Sequence, residues 1–276
     1  MRWEPRINLP FIQVRHKSLI LYNLPADNYS HKRSEFKSPT YSGVVTNGAS
    51  KRIRKAVDIL QQLSPPIWIT NPITKRQETH TLSFITLTIP EQERKPEADE
   101  GYRLLLKPWL LKMKRKHNMS MYIWKAEFQT NDMLHYHITT RSWIPYYFIR
   151  DEWNNLLSKE GLLDRHFVKF DGRYPNGTDV HKVYKNYRLQ SYLQKEISKQ
   201  QQNKKTKGKL WDCSKNIKDA KFYSTIQPND MPMLRDITDI IQTDHCTILN
   251  IDKPITVLPM KLQADYKKHL SLIPID

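Results

Sequence analysis

His135-Tyr136-His137 places two imidazoles two residues apart, downstream of a carboxylate, in the run Glu127-Phe-Gln-Thr-Asn-Asp-Met-Leu-His135-Tyr-His137. Side chains alternate along a strand, so His135 and His137 share one face while Leu134, Tyr136 and Ile138 share the other, apolar one. Residues 121–128 alternate in the same way, with Tyr122, Trp124, Ala126 and Phe128 on one side and Ile123, Lys125 and Glu127 on the other. The polar stretch 129–133 between them supplies a hairpin loop. Pairing Phe128 with Leu134 makes the apolar faces coincide, and it sets Glu127 opposite His135 and diagonal to His137. Two imidazoles and one carboxylate, with no cysteine nearby, suit a divalent cation such as Mn²⁺, Mg²⁺ or Zn²⁺ with positions left open for substrate. A bare His-x-His equally fits two strand histidines facing solvent; the in-register Glu127 favours the metal.

A second candidate lies in residues 183–199, Val-Tyr-Lys-Asn-Tyr187-Arg188-Leu-Gln-Ser-Tyr192-Leu-Gln-Lys195-Glu-Ile-Ser-Lys199, which contain no Gly or Pro. At 100° per residue, Leu189, Leu193 and Ile197 form a buried helical stripe, with Arg188, Tyr192, Lys195 and Lys199 on its flank. Cations around a phenol favour its phenolate and can hold a phosphate for it to attack. A tyrosine at the edge of a core also serves simply to pack, and only the association with the two-histidine site raises Tyr192 above that.

Phe84-Ile-Thr-Leu-Thr-Ile-Pro90, His135-Tyr-His137 and Tyr192-Leu-Gln-Lys195 resemble, in this order, the three motifs of HUH endonucleases, the rolling-circle replication initiators of single-stranded DNA phages, plasmids and small DNA viruses. The resemblance is closest to phage-type initiators and covers roughly residues 45–225. It implies an HUH palm, a divalent metal (Mg²⁺ or Mn²⁺) on Glu127, His135 and His137, and Tyr192 as nucleophile assisted by Lys195. Arg188 and Lys199 would position the DNA backbone. The implied activity is nicking and rejoining of single-stranded DNA at an origin through a 5′-phosphotyrosine, with a host helicase and polymerase as partners in a bacterial cytoplasm. Several such initiators carry a second tyrosine four residues after the first, where this chain has Glu196, so Tyr192 stands as sole nucleophile. A single-strand transposase of the same chemistry and a non-catalytic DNA-binding regulator are the alternatives. Spacing assigns no role to Gln129 or His181, and His181 reads better as a fold residue.

Composition agrees with a nucleic-acid partner. The net charge is +17 and the pI about 9.7, and the basic residues are spread along the chain, as suits a surface that follows a phosphate backbone. Two cysteines, Cys213 and Cys246, are too few for a zinc knuckle or a disulfide framework and point to a reducing compartment. No run of about 18 apolar residues indicates a membrane span. Gly43-Val-Val-Thr-Asn-Gly48-Ala-Ser50 has the glycine spacing of a P-loop but Ala49 where the phosphate-binding lysine belongs, so ATP binding is not expected.

The elements that must position these residues make an α+β fold, a mainly antiparallel sheet with flanking helices. Residues 1–48 read as an irregular basic arm, 49–200 as the endonuclease domain, and 201–276 as a basic linker with a C-terminal extension. A helix starts near Ser50, with Ile53, Ala56, Val57, Leu60 and Leu63 inward and Lys51, Arg52, Arg54 and Lys55 outward as DNA contacts. A strand over 81–89, a helix over 102–117 interrupted near Pro108, the hairpin over 121–141 and a helix over 147–160 follow. Residues 164–182 read as loops or short strands; a helix over 231–242 and strands over 247–251 and 256–258 complete the expectation.

Overall fold

The computed structural model describes residues 11–14, 18–22, 43–71, 74–183, 206–220, 223–225, 237–243 and 246–251. The chain begins with strands β1 (Phe11–Val14) and β2 (Ser18–Tyr22), then helix α1 (Asn47–Gln62) and strands β3 (Ile67–Thr70), β4 (Gln77–His80) and β5 (Ser83–Thr88). Helix α2 (Ala98–Gly101) runs through a π-helical turn (Tyr102–Leu106) into α3 (Lys107–His117), ahead of the hairpin β6 (Tyr122–Phe128) and β7 (Leu134–Thr140). After it come α4 (Tyr146–Lys159), α5 (Asp164–Lys169), β8 (Thr178–Lys182), β9 (Trp211–Cys213) and α6 (Lys215–Asp219). Strands β10 (Tyr223–Thr225), β11 (Ile237–Gln242) and β12 (Cys246–Ile251) close the described chain. The fold is α+β, with antiparallel sheets and flanking helices. No helix among the described residues is long and apolar enough to cross a membrane.

Two compact units divide these elements: residues 41–218, and residues 1–40 together with 219–275. In the larger unit, an antiparallel sheet has the order β8-β5-β7-β6-β9. Its inner face carries Ile85, Leu87, Trp124, Ala126, Tyr136 and Ile138, all buried against Trp109, Met113, Ile149, Trp153 and Leu157 of α3 and α4. The hydrophobic core therefore lies on the side of the sheet opposite the histidines. Helix α1 packs on β6, and its stripe of Ile53, Ala56, Val57, Leu60 and Leu63 is buried, as the 3.6-residue period requires. Thr46 caps its start by accepting a hydrogen bond from Ala49 N at 3.2 Å.

The helical passage before the hairpin is shaped by close approach. Gly101 leaves no room for a side chain, because a Cβ there would fall on the Tyr136 hydroxyl and 2.8 Å from Leu134 Cδ1. Pro108 sits in the first turn of α3, where its missing N–H costs little. Asn118 in the left-handed region ends that helix.

Lys112 and Lys116, one turn apart on α3, both bind the Glu152 carboxylate of α4. Burial alone would raise the Glu152 pKa, but the hydrogen bonds and charges of the two lysines outweigh it and hold the carboxyl below its ordinary value. A depressed carboxylate contributes stability above its unfolded pKa and loses that contribution as pH falls through the folded value. Glu152→Gln should therefore lower stability by about 1 kcal/mol at neutral pH, the scale of a pair whose lysines are largely exposed. The gap from the parent should close as pH falls below about 4, the range where unfolded glutamates protonate. Urea unfolding at both pH values measures this, and an equal gap at each would show that charge is not what Glu152 contributes.

Three expectations are corrected. Residues 1–48 are not wholly an irregular arm, since β1 and β2 pair with each other and with β10 and β12, in a sheet of order β10-β1-β2-β12-β11. Residues 237–242 form a strand and not the end of a helix: Ile237, Ile240 and Ile241 are β-branched, and β12 offers them a partner edge. The chain after residue 200 is not solely linker and extension, because β9 adds to the edge of β6. Residues 164–182 contain both a short helix, α5, and the strand β8.

Candidate metal centre

The hairpin has the register that its apolar faces demand: Phe128 pairs with Leu134, Glu127 with His135, and Lys125 with His137. Glu127, His135 and His137 thereby converge on the face away from the core, with one ligand atom from each within 4.8 Å of the others. Glu127 Oε2 lies 3.4 Å from His135 Nε2 and 3.3 Å from His137 Nε2. Donors about 2.1 Å from a common ion stand about 3.0–3.4 Å apart, so the three atoms already have the spacing of a ligand shell. All three residues are partly accessible, which leaves room for a phosphate or water on the open side.

The second ring nitrogens have partners of their own. Thr86 on β5, directly across from His137, brings Oγ1 to 3.2 Å of its Nδ1. Gln129 in the hairpin loop faces His135 Nδ1 at 3.4 Å. A hydroxyl or amide oxygen accepting from Nδ1–H fixes the tautomer that leaves Nε2 for a metal. Phe84 stacks on the His137 ring at 5.3 Å between centroids and 23° between planes, which restrains its rotation.

Lys125 is 5% exposed and ion-pairs with Glu127 Oε1, while Oε2 faces the histidines. Burial would raise the Glu127 pKa, but hydrogen bonds from His135 and His137 and the nearby Lys125 ammonium reverse this and hold the carboxyl far below its usual range. Glu127 is thus ionised. Because Lys125 offsets its charge, a divalent ion on these ligands keeps nearly its full charge for an anionic substrate.

Lys51, Arg52, Arg54 and Lys55 are all exposed on the outer side of α1. Tyr192, Lys195, Arg188 and Lys199 lie outside the described residues. Sequence reasoning passed over Thr86 and Lys125 as partners of the ligands; the only trace of Lys125 was its place two residues before Glu127 on one strand face. It also read His181 as a fold residue. In the structure His181 is exposed, 2.6 Å from Asp179, and the register Thr86↔Asp179 and Phe84↔His181 sets this pair on the same sheet face as the histidines.

Residues 82–201 match the model of a family of replication-associated proteins, the ORF2 group. The match opens at the edge of β5, takes in the hairpin with all three candidate ligands, and continues past Tyr192. Over this segment the chain is similar to replication-associated proteins, in keeping with a rolling-circle replication initiator. No curated protein matches the chain.

Proposed function

We propose that this chain is a metal-dependent nickase and strand transferase that starts rolling-circle replication at a single-stranded origin. The observation that carries the proposal is the convergence of Glu127, His135 and His137 on one sheet face inside the segment similar to replication-associated proteins. A divalent cation, Mn²⁺ or Mg²⁺, held by these three residues supplies Lewis-acid polarisation of a phosphate oxygen when bound. The Tyr192 oxygen forms a bond to phosphorus, the bond from phosphorus to the 3′ oxygen breaks, and the phenolic proton is replaced by one taken up at the leaving 3′ oxygen. A 5′-phosphotyrosine and a free 3′-hydroxyl result. Lys195 sets its ammonium against the charge that builds on the phosphate, and Arg188 and Lys199 hold the backbone in line. Since the phosphotyrosine keeps the ester bond, a later attack by a 3′-hydroxyl regenerates Tyr192 and closes a circle without ATP. Polymerase and helicase functions come from host partners, and the DNA itself is the substrate. The direct test incubates the protein with single-stranded oligonucleotides tiled across its own replicon and Mn²⁺, and looks for a covalent adduct on a denaturing gel; absence of any adduct or cleavage across the set refutes the reading.

Binding itself should be electrostatic. Each phosphate neutralised on a single strand contributes about −0.7 to the slope of log affinity against log salt. Replacing Lys51, Arg52, Arg54 and Lys55 together by Ala should make that slope shallower by about 2–3, with the fold intact because all four side chains are exposed. An unchanged slope would remove α1 from the DNA path.

A further inference from the structure

A pocket of about 340 Å³ lies between α4 and the loop that leads into β8, near the lower end of the ~300–1,000 Å³ usual for small-molecule sites. Helix α4 contributes Arg150, Asn154 and Asn155, and the loop contributes Tyr174, Pro175 and Asn176. Asn154 is 3% exposed. Its Nδ2 donates to Pro175 O at 3.1 Å, and because a carbonyl can only accept, this bond fixes which end of the amide is which. The remaining end, Oδ1, is buried with no hydrogen-bond partner among the described residues. A buried acceptor left unpaired costs about 1–3 kcal/mol, so a donor belongs there.

Around this acceptor the walls are aromatic and basic. Tyr174 is 57% exposed and is braced edge-on by Phe167, with centroids 5.3 Å apart and planes at 85°, which leaves its own faces free of that ring. The Arg150 guanidinium is held by Asp151 at 2.9 Å and over the Tyr146 ring at 5.7 Å, so its plane is fixed. The segment preceding the pocket, Arg165-His-Phe-Val-Lys169-Phe-Asp-Gly-Arg173-Tyr174, interleaves cations with aromatics, the pattern of surfaces that follow single strands. Both walls are also tied to the strand that faces the metal ligands. Trp153, beside Asn154, donates from Nε1 to Thr88 O at 2.9 Å, and Thr88 N donates to the carbonyl of Gly177, beside Asn176. Thr88 is the cross-strand partner of His135.

We infer that this pocket takes one unstacked base of the single-stranded DNA substrate and selects a base with an exocyclic amine, the ring lying on Tyr174 and the amine donating to Asn154 Oδ1. The inference rests on the proposed action on single-stranded DNA and adds a base-reading site to it. An exocyclic amine presents its donor at the rim of the base. Uracil and thymine hold their one ring donor, N3–H, between two carbonyls that would crowd against Oδ1.

The experiment is equilibrium binding of dC12, dU12 and a twelve-unit abasic strand to the full chain, in EDTA so that the metal ligands do not contribute. Cytosine and uracil differ at the 4-position by an amine against a carbonyl. The parent protein should bind dC12 about tenfold more tightly than dU12, and the abasic strand more weakly than either. Tyr174→Ala, at an exposed position, should weaken dC12 by about tenfold, the lower part of the range for loss of one stacked base, and leave the abasic strand unchanged. Asn154→Leu should bring dC12 down to dU12, with the melting temperature recorded to show that the fold persists. Equal affinity of the parent for dC12 and dU12, or a preference that survives both substitutions, overturns the pocket while leaving the nicking chemistry standing. Failure to bind any strand overturns both.

Discussion

Tyr192→Phe should bind single-stranded DNA like the parent protein and form no covalent adduct, with strand transfer falling by on the order of 10³ or more. The substitution removes one oxygen, the atom that bonds to phosphorus, and keeps the ring that would border the helix stripe. Lys195→Ala should behave differently: a positioned cation lowers the transition state without joining the bond, so the adduct should still form, about 10²-fold more slowly. Mass spectrometry of the trapped adduct identifies the residue. A nucleotide on Tyr184 or Tyr187, or a full yield from Tyr192→Phe, would sink the assignment of this tyrosine.

His135→Ala combined with His137→Ala should eliminate detectable cation binding and, with it, cleavage. Two of three donors disappear, and Glu127 is left to its ion pair with Lys125, a state with little charge to attract a second cation. Isothermal titration with Mn²⁺ reads the loss directly. Chelation of the parent with EDTA should give the same outcome reversibly, with activity restored by Mn²⁺ or Mg²⁺. DNA binding should survive in both cases, because the exposed cations of α1 hold phosphates without a metal. Unchanged Mn²⁺ binding in the double variant would mean that the ligands lie elsewhere. Cleavage undiminished in EDTA would mean that no metal is used.

The hairpin was fully legible in the chain. Its strands alternate without a break, and only one register lays Tyr122, Trp124, Ala126 and Phe128 over the apolar side of its partner; a slip of one residue would turn Trp124 and Tyr136 to solvent. That same register fixes Glu127 beside His135. The inward stripe and outward cations of α1 were legible for the related reason that a helix's faces follow from a fixed period. The motif order likewise pointed to replication initiators before the match over residues 82–201.

Sequence by itself thus determined the local geometry: which residues share a strand or helix face, and through that the three candidate ligands. Tertiary structure decided every relation between residues far apart in the chain. Thr86 is 51 residues from His137, and only the pairing of β5 with β7 makes it the hydrogen-bond partner of that ring. The antiparallel addition of β9 to β6 drew on a segment that polar composition had marked as linker. Strand β11 had helix-compatible spacing until β12 supplied an edge. The Asn154 pocket needs α4 and residues 174–176, which no common periodicity relates. The physical reason is the same throughout: a side chain's direction is set by its own backbone, whereas its partners depend on which distant elements gain the most by packing together.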